Sequence, residues 1–226
     1  MKKSVYNFLV FDCQGKEISL ERYRGKVLLI VNTASKGPGK RTLRKLQKVY
    51  DQFKERPFVV LAFPCAQFLN LEHSSASRIL YVYRRLGVTF PVFSRVNVNG
   101  DSELSLFRWL KKRRPGKTGR RIEWNFTKFL VESDGRTVHR YGPADRWGPM
   151  VRMIDMAVER CENNDFPPPF DFTMSAQQCG ESCEEESECD GIDLSESSMS
   201  AQLFCESDTS ESEKSFSFMI DSSEVW

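Results

Sequence analysis

The chain is short of long apolar runs: none approaches the eighteen or so residues that a membrane-crossing helix needs. Its first residues, up to Asp12, also lack an apolar stretch of signal-peptide length. Histidine is scarce, with only His73 and His139, and the seven cysteines include no CxxC pair, so a zinc site and any resident metal are not expected. An odd cysteine count without a secretion signal favours free thiols. The expectation is a soluble cytoplasmic protein with no metal and no organic cofactor.

The overall net charge of +2 conceals a split. Residues 163–226 hold one lysine against sixteen acids, a net of −15, whereas residues 1–162 hold thirty-two Lys or Arg against fifteen acids, a net of +17. A body this basic attracts anionic surfaces, whether phospholipid headgroups or nucleic acid, unless its own acidic segment neutralises it.

The segment around which the rest is organised is Val27 to Lys40, VLLIVNTASKGPGK. Five apolar residues suit a strand buried on both faces, the small polar residues from Asn32 to Ser35 suit its exit, and Leu43, Leu46, Val49, Tyr50 and Phe53 recur at helical spacing. Phe58 to Phe63 reads as a second central strand, giving a β-α-β unit. Val5 to Phe11 and Glu17 to Leu20, separated by Gly15, predict an N-terminal hairpin. Ile79 to Leu86 predicts a helix stopped by Gly87, Val88 to Phe93 a strand, and Leu104 to Leu110 another helix. Phe126 to Val131 and Thr137 to Tyr141 flank a Ser-Asp-Gly turn and predict a second hairpin, and Val151 to Val158 a closing helix. The whole predicts one layered α/β domain over residues 1–162, a mixed sheet with helices on both faces. Residues 163–226 predict a disordered acidic tail: the proline run between Phe166 and Phe170 breaks any helix, and fourteen serines with a net of −15 cannot support a core. Ser182, Ser187 and Ser210 each have an acid three residues on, a setting that suits acid-directed phosphorylation.

Three stretches, VLLIVNTASKG, LAFPCAQF and EWNFTKFLV, in this order and spacing, resemble the glutathione peroxidase family, a branch of the thioredoxin fold. The likeness runs from about Val5 to Val158 and implies an α/β thioredoxin-like domain that reduces hydrogen peroxide and organic or lipid hydroperoxides. It implies glutathione or another small thiol as reductant and carries the family's site onto Gln67, Trp124 and Asn125. Those residue types make chemical sense together. A chalcogen anion attacking a peroxide must have its charge held, and an indole N–H with two amides offers donors for that purpose. Read separately, Trp124 is a core aromatic and the two amides cap loops.

The family's nucleophile, a cysteine or selenocysteine after the Ser-Lys of the first motif, is not written. Gly37 stands where it is expected, but the segment from Lys36 to Tyr50 is one residue shorter than the family pattern, while Tyr50 to Cys65 keeps its length. The count places Gly37 on the glycine that follows the nucleophile, so the nucleophile is deleted between Lys36 and Gly37. Selenocysteine is read from a stop codon, and skipping that codon leaves this gap. Cys65 falls in the family's FPC motif and reads as a buried structural thiol, and no resolving cysteine lies between it and Cys161. A further departure is Leu69-Asn70, where the family usually has glycine.

Lys111 to Arg121, KKRRPGKTGRR, carries seven cations, namely Lys111, Lys112, Arg113, Arg114, Lys117, Arg120 and Arg121. It is expected on a loop entering the strand at Trp124, as a basic rim for anionic headgroups or substrate worth roughly 1 kcal/mol per cation. The run also suits nuclear import or nucleic acid, although no nucleic-acid module is present. The resemblance is to the short monomeric phospholipid-hydroperoxide branch, so a monomer is expected. The competing reading is a catalytically silent paralogue that binds partners through its basic body and acidic tail. The two part at one codon. A transcript across this point is expected to carry UGA or a cysteine codon between those for Lys36 and Gly37, and an uninterrupted pair would leave only the binding reading.

Overall fold

The structure, a computed structural model, describes residues 4–163. The expected tail lies, apart from Asn163, outside the described residues. A first hairpin pairs β1 (Leu9–Phe11) with β2 (Glu17–Ser19) antiparallel, preceded by a 3-10 turn at Val5–Asn7 where the sequence suggested strand. Ser4 explains the difference: its hydroxyl accepts from the Tyr6 N–H and its own N–H is bonded to the Asn7 side chain, so the segment is capped as a turn.

The main sheet has four strands in the order β4-β3-β5-β6. Here β3 is Val27–Thr33, β4 Phe58–Pro64, β5 Lys128–Val131 and β6 Val138–Tyr141. Strands β3 and β4 run parallel, while β5 and β6 add antiparallel. Every residue of β3 and β4 is buried, as near-continuous apolar runs require of strands covered on both faces. Period-two alternation sorts them: Leu28, Ile30, Val59, Leu61 and Phe63 enter one core with Leu106, Phe107 and Leu110 of α3 (Ser105–Arg113). Leu29, Val31, Val60 and Ala62 enter the other with α1 (Gly39–Phe53), α2 (Ala76–Arg85) and α4 (Trp147–Glu162). This is the thioredoxin-like architecture with helices on both faces. Among the described residues no helix is long and apolar enough to cross a membrane, and no cluster of His, Cys, Asp or Glu is built to hold a metal ion.

The strand expected over Val88 to Phe93 is reduced to single bridges, Ala62 with Val92 and Asp12 with Phe93. Pro91 is the reason. It accepts through its carbonyl from the Ala62 N–H at 3.0 Å but has no N–H to return, so a ladder cannot propagate through it. The expected second hairpin forms as β5 and β6, closed by Gly135 at φ 68.

One carboxylate ties that hairpin to α4. Glu132 accepts from His139 Nε2 at 3.0 Å and from Arg160 Nη2 at 2.9 Å, and these bonds hold its carboxyl below the usual carboxylate range, His139 contributing most. A depressed folded-state pKa contributes stability above the unfolded value of about 4.3 and loses it as pH falls through the folded one. Glu132→Gln is therefore expected to lower stability at pH 7 by about 1–2 kcal/mol and to flatten the acid limb of a denaturation-midpoint profile. An unchanged acid limb would show that the carboxylate contributes nothing there.

Candidate active site

The site begins where β3 ends. Asn32 is fully buried and clamps a loop that lies ninety-two residues away in sequence to Trp124. Its Nδ2 donates to the Trp124 carbonyl at 3.2 Å, its Oδ1 accepts from the Thr127 N–H at 3.0 Å, and its backbone carbonyl accepts from the Phe126 N–H at 2.7 Å. Held this way, Phe126 adopts φ 64, a left-handed conformation that costs a bulky residue of order 1–3 kcal/mol. The clamp over-determines that conformation and so sets where Trp124 and Asn125 sit.

Opposite them lies the start of α1. Gly39 is required there: a Cβ on it would lie 2.2 Å from the Ala34 carbonyl oxygen and 3.5 Å from the Phe126 ring. Only glycine lets the helix start this close to both. Gly37, at φ 53, makes the turn into the helix. The helix carries no acidic side chain in its first turn and no side-chain cap, so its partial positive end is left to whatever occupies the Lys36–Gly37 turn. Lys36 fastens this turn to the loop after Phe68 through its N–H to the Leu71 carbonyl at 3.0 Å and its Nζ to the Asn70 carbonyl at 3.1 Å.

Between these two walls is a pocket of about 160 Å³, lined by Ala34, Lys36, Pro38, Gly39, Leu71, Trp124, Asn125, Phe126 and Pro143 among others. Trp124 is 41% exposed and lines the pocket. Asn125 is 2% exposed, and neither its Nδ2 nor its Oδ1 has a hydrogen-bond partner. A buried amide left unpaired by the protein costs about 1–3 kcal/mol, which marks Asn125 as a donor and acceptor open to a polar group in this pocket.

Gln67, the third expected member, is placed differently. Its Oε1 accepts from the Val98 and Asn99 N–H groups at 2.8 and 3.0 Å and its Nε2 donates to the Asn99 carbonyl at 2.8 Å. It lines a separate hollow with Arg95, Val96 and Asn97. The structure thus brings Trp124 and Asn125 to the Lys36–Gly37 turn and commits the Gln67 amide to the backbone. The neighbouring Phe68 does reach the site, its ring 5.8 Å from that of Trp124.

The basic run also divides. Lys111 to Arg113 close α3 and are not loop, because the apolar spacing of Leu106, Phe107 and Leu110 carries the helix through them. Lys111 is buried, donating to the Val98 carbonyl at 2.8 Å and paired with Glu103, which removes it from any outer rim. Arg113 lies over the Trp109 ring. Lys112, Arg120 and Arg121 are exposed, and the backbone carbonyls of Arg120 and Arg121 accept from the Arg140 guanidinium at 3.1 and 2.7 Å. Arg114 and Lys117 line a larger pocket of about 470 Å³ with Glu123, Arg140 and Asp145, and Pro143 belongs to both pockets.

Two residues of the site were not singled out from sequence. Asn32 was read only as part of a polar strand exit, and a polar residue ending a fully buried strand was the available signal. Glu72 gave none. It is fully buried behind the turn and accepts from the Ser35 hydroxyl, the His73 N–H at 2.8 Å and the Tyr83 hydroxyl at 2.9 Å. No described cysteine replaces a nucleophile here: burial pushes the Cys65 thiol up, and that of Cys13 up to about 11, leaving little thiolate at neutral pH.

A mixed sheet of this order with helices on both faces and a pocket at the mouth of the first helix defines a thioredoxin-like fold. A thiol:disulfide interchange protein of the thioredoxin family from Chlorobium tepidum shares that fold at TM-score 0.52 and 16% identity, over 70% of this chain and 97% of that one. The finer match is to a family model described as glutathione peroxidase, over residues 5–111. Probable glutathione peroxidase 5 of Arabidopsis thaliana is 44% identical over 62% of this chain and 83% of that protein. The probable phospholipid hydroperoxide glutathione peroxidase of Mesembryanthemum crystallinum is 43% identical over 62% and 84%. The crystal structure of Trgpx in apo form matches at TM-score 0.60 and 38% identity, over 70% of this chain and 97% of that one. The chain belongs to the glutathione peroxidase family.

The two buried asparagines are expected to respond oppositely to substitution. Asn125→Leu removes an unpaired amide and is expected to leave stability unchanged or raise it by about 1 kcal/mol. Asn32→Leu strips the loop of its clamp and is expected to cost about 2 kcal/mol or more in urea denaturation. Equal losses would mean that Asn125 is paired in solution.

Proposed function

We propose that the protein is a thiol-dependent peroxidase that reduces hydrogen peroxide and organic or lipid hydroperoxides, acting through a selenocysteine or cysteine seated between Lys36 and Gly37. The observation that carries this is Asn125, a buried amide without a partner, facing a pocket whose other wall is the open N-terminus of α1. A chalcogen anion at that turn would lie against the helix dipole, which favours its ionised form. Asn125 and the Trp124 indole N–H supply donors for it and for the departing oxygen.

The reaction balances without a metal or organic cofactor. The anion attacks one peroxide oxygen and the O–O bond breaks. The chalcogen keeps one oxygen as its hydroxide, and the other leaves as alcohol or water once protonated. A thiol then displaces the hydroxide as water, and a second thiol releases the chalcogen anion with formation of a disulfide. No cysteine lies between Cys65 and Cys161, which favours a small thiol such as glutathione meeting the oxidised intermediate directly. Arg114, Lys117 and Arg140 in the adjoining pocket support a reductant or surface that carries anionic groups. A monomer meeting an anionic membrane surface through these cations is the assembly and partner that fit this reading.

The chain as written is expected to give no thiol-dependent peroxide turnover above background. The full chain with cysteine inserted between Lys36 and Gly37 is expected to turn over hydrogen peroxide with glutathione in a coupled assay. Turnover by the uninserted chain, or none by the inserted one although its thermal melt is cooperative, would overturn the assignment.

A further inference from the structure

Glu72 is a carboxylate that the peroxidase chemistry above does not use. It is fully buried, and among the described residues none of its hydrogen-bond partners is a cation. Taking a carboxylate out of water is costly, and without a cation beside it only hydrogen bonds offset that cost. An apolar side chain filling the same space would avoid the cost altogether, so the stability of the fold does not by itself call for an acid here.

What the acid does lies in how its two oxygens are shared. Oε1 accepts from the Ser35 hydroxyl and from the His73 N–H at 2.8 Å. Oε2 accepts from the Tyr83 hydroxyl at 2.9 Å, and that hydroxyl is also 2.7 Å from Thr33 Oγ1. Thr33 is the last residue of β3 and Ser35 the second beyond it, so one side chain grips the strand exit at two points, once directly and once through Tyr83 of α2. The backbone bonds the same segment twice more, from the Cys65 N–H to the Thr33 carbonyl at 2.9 Å and from the Lys36 N–H to the Leu71 carbonyl at 3.0 Å. The Lys36–Gly37 turn follows at once. Leu71 and Lys36 line the pocket, whereas Glu72 stands outside its lining.

We propose that Glu72 is a positioning residue: by holding Ser35 directly and Thr33 through Tyr83, it fixes the strand exit that presents the nucleophile to the pocket. This rests on the peroxidase reading above for what sits at the turn, and adds which buried group keeps the turn in place. A misplacement of about 1 Å is enough to slow a chemical step roughly a hundredfold. Without the acid the exit keeps its two backbone bonds, so what is lost is local rigidity and not the fold.

Two measurements on the full chain test this. In the chain as written, amide hydrogen exchange followed by NMR is expected to be roughly tenfold faster at Lys36 in Glu72→Leu, with the β3 amides from Leu28 to Ile30 unchanged. In the chain with cysteine inserted between Lys36 and Gly37, Glu72→Leu is expected to slow the reaction with hydrogen peroxide roughly tenfold or more while the thermal melt stays cooperative. Glu72→Gln, whose amide can still bond both hydroxyls, is expected to restore most of that loss. Should Glu72→Leu not fold, Ser35→Ala and Tyr83→Phe each remove one of the two grips and are expected to act in the same direction. Exchange at Lys36 unchanged, or faster along the whole chain, would overturn the proposal, as would peroxide rates within twofold of the parent or a Glu72→Gln variant as slow as Glu72→Leu. If the inserted parent reduces no peroxide, the peroxidase reading fails by itself, and exchange at Lys36 still decides whether Glu72 holds the turn.

Discussion

The buried Asn32 amide closes the gap between two parts of the chain that share no local sequence logic. Strand β3 must be apolar on both faces to lie at the centre of the sheet, and its last residues must then stop being apolar so that the chain can leave. Placing an asparagine at that point, fully buried, gives the strand end a donor and an acceptor that water cannot reach. Both are used on the segment from Trp124 to Thr127, which enters β5 alongside β3. The central pairing of the sheet and the geometry of the pocket therefore depend on the same side chain.

That coupling explains why strain collects around the pocket and not elsewhere. The non-glycine residues at positive φ among those described are Leu69, Asn70 and Phe126, and all three lie in segments that wall or rim the site. Each is held by several bonds: Phe126 by the Asn32 clamp, Leu69 and Asn70 by Lys36 and the turn bonds around them. Conformations of this kind persist only where the surroundings over-determine them. The two fully covered central strands supply the excess stability from which such positions draw.

Much of the fold was legible because its signals are periodic. The double-sided apolar runs identified β3 and β4, the three-and-four spacing of Leu43, Leu46, Val49 and Phe53 identified α1, and Ser133-Asp134-Gly135 marked the turn between β5 and β6. What failed to show depends on contacts that periodicity does not encode. Pro91 halts a strand whose apolar content looked sufficient. Lys111 belongs to a run of cations, yet its position on α3 turns it inward to Val98 and Glu103. Gln67 and Asn125 are chemically the same group, and only the three-dimensional arrangement shows that one is fully bonded to backbone and the other to nothing.

That last contrast bears on how the site divides its labour. An amide fixed by three bonds to the Val98–Asn99 backbone is rigid and shapes the loop that carries Phe68 against Trp124. An unbonded amide is free to answer a charge that appears beside it. Electrostatic stabilisation of a developing anion requires donors that are positioned beforehand yet not already spent. Among the pocket's side chains, the buried Asn125 amide meets both conditions. The neighbouring sulfurs stand in a different setting: burial first, and the Glu72 carboxylate after it, disfavour ionisation of Cys65 and Cys13. The unspent amide donor thus lies beside the Lys36–Gly37 turn, whereas the nearby Cys65 and Cys13 thiols are kept protonated chiefly by burial.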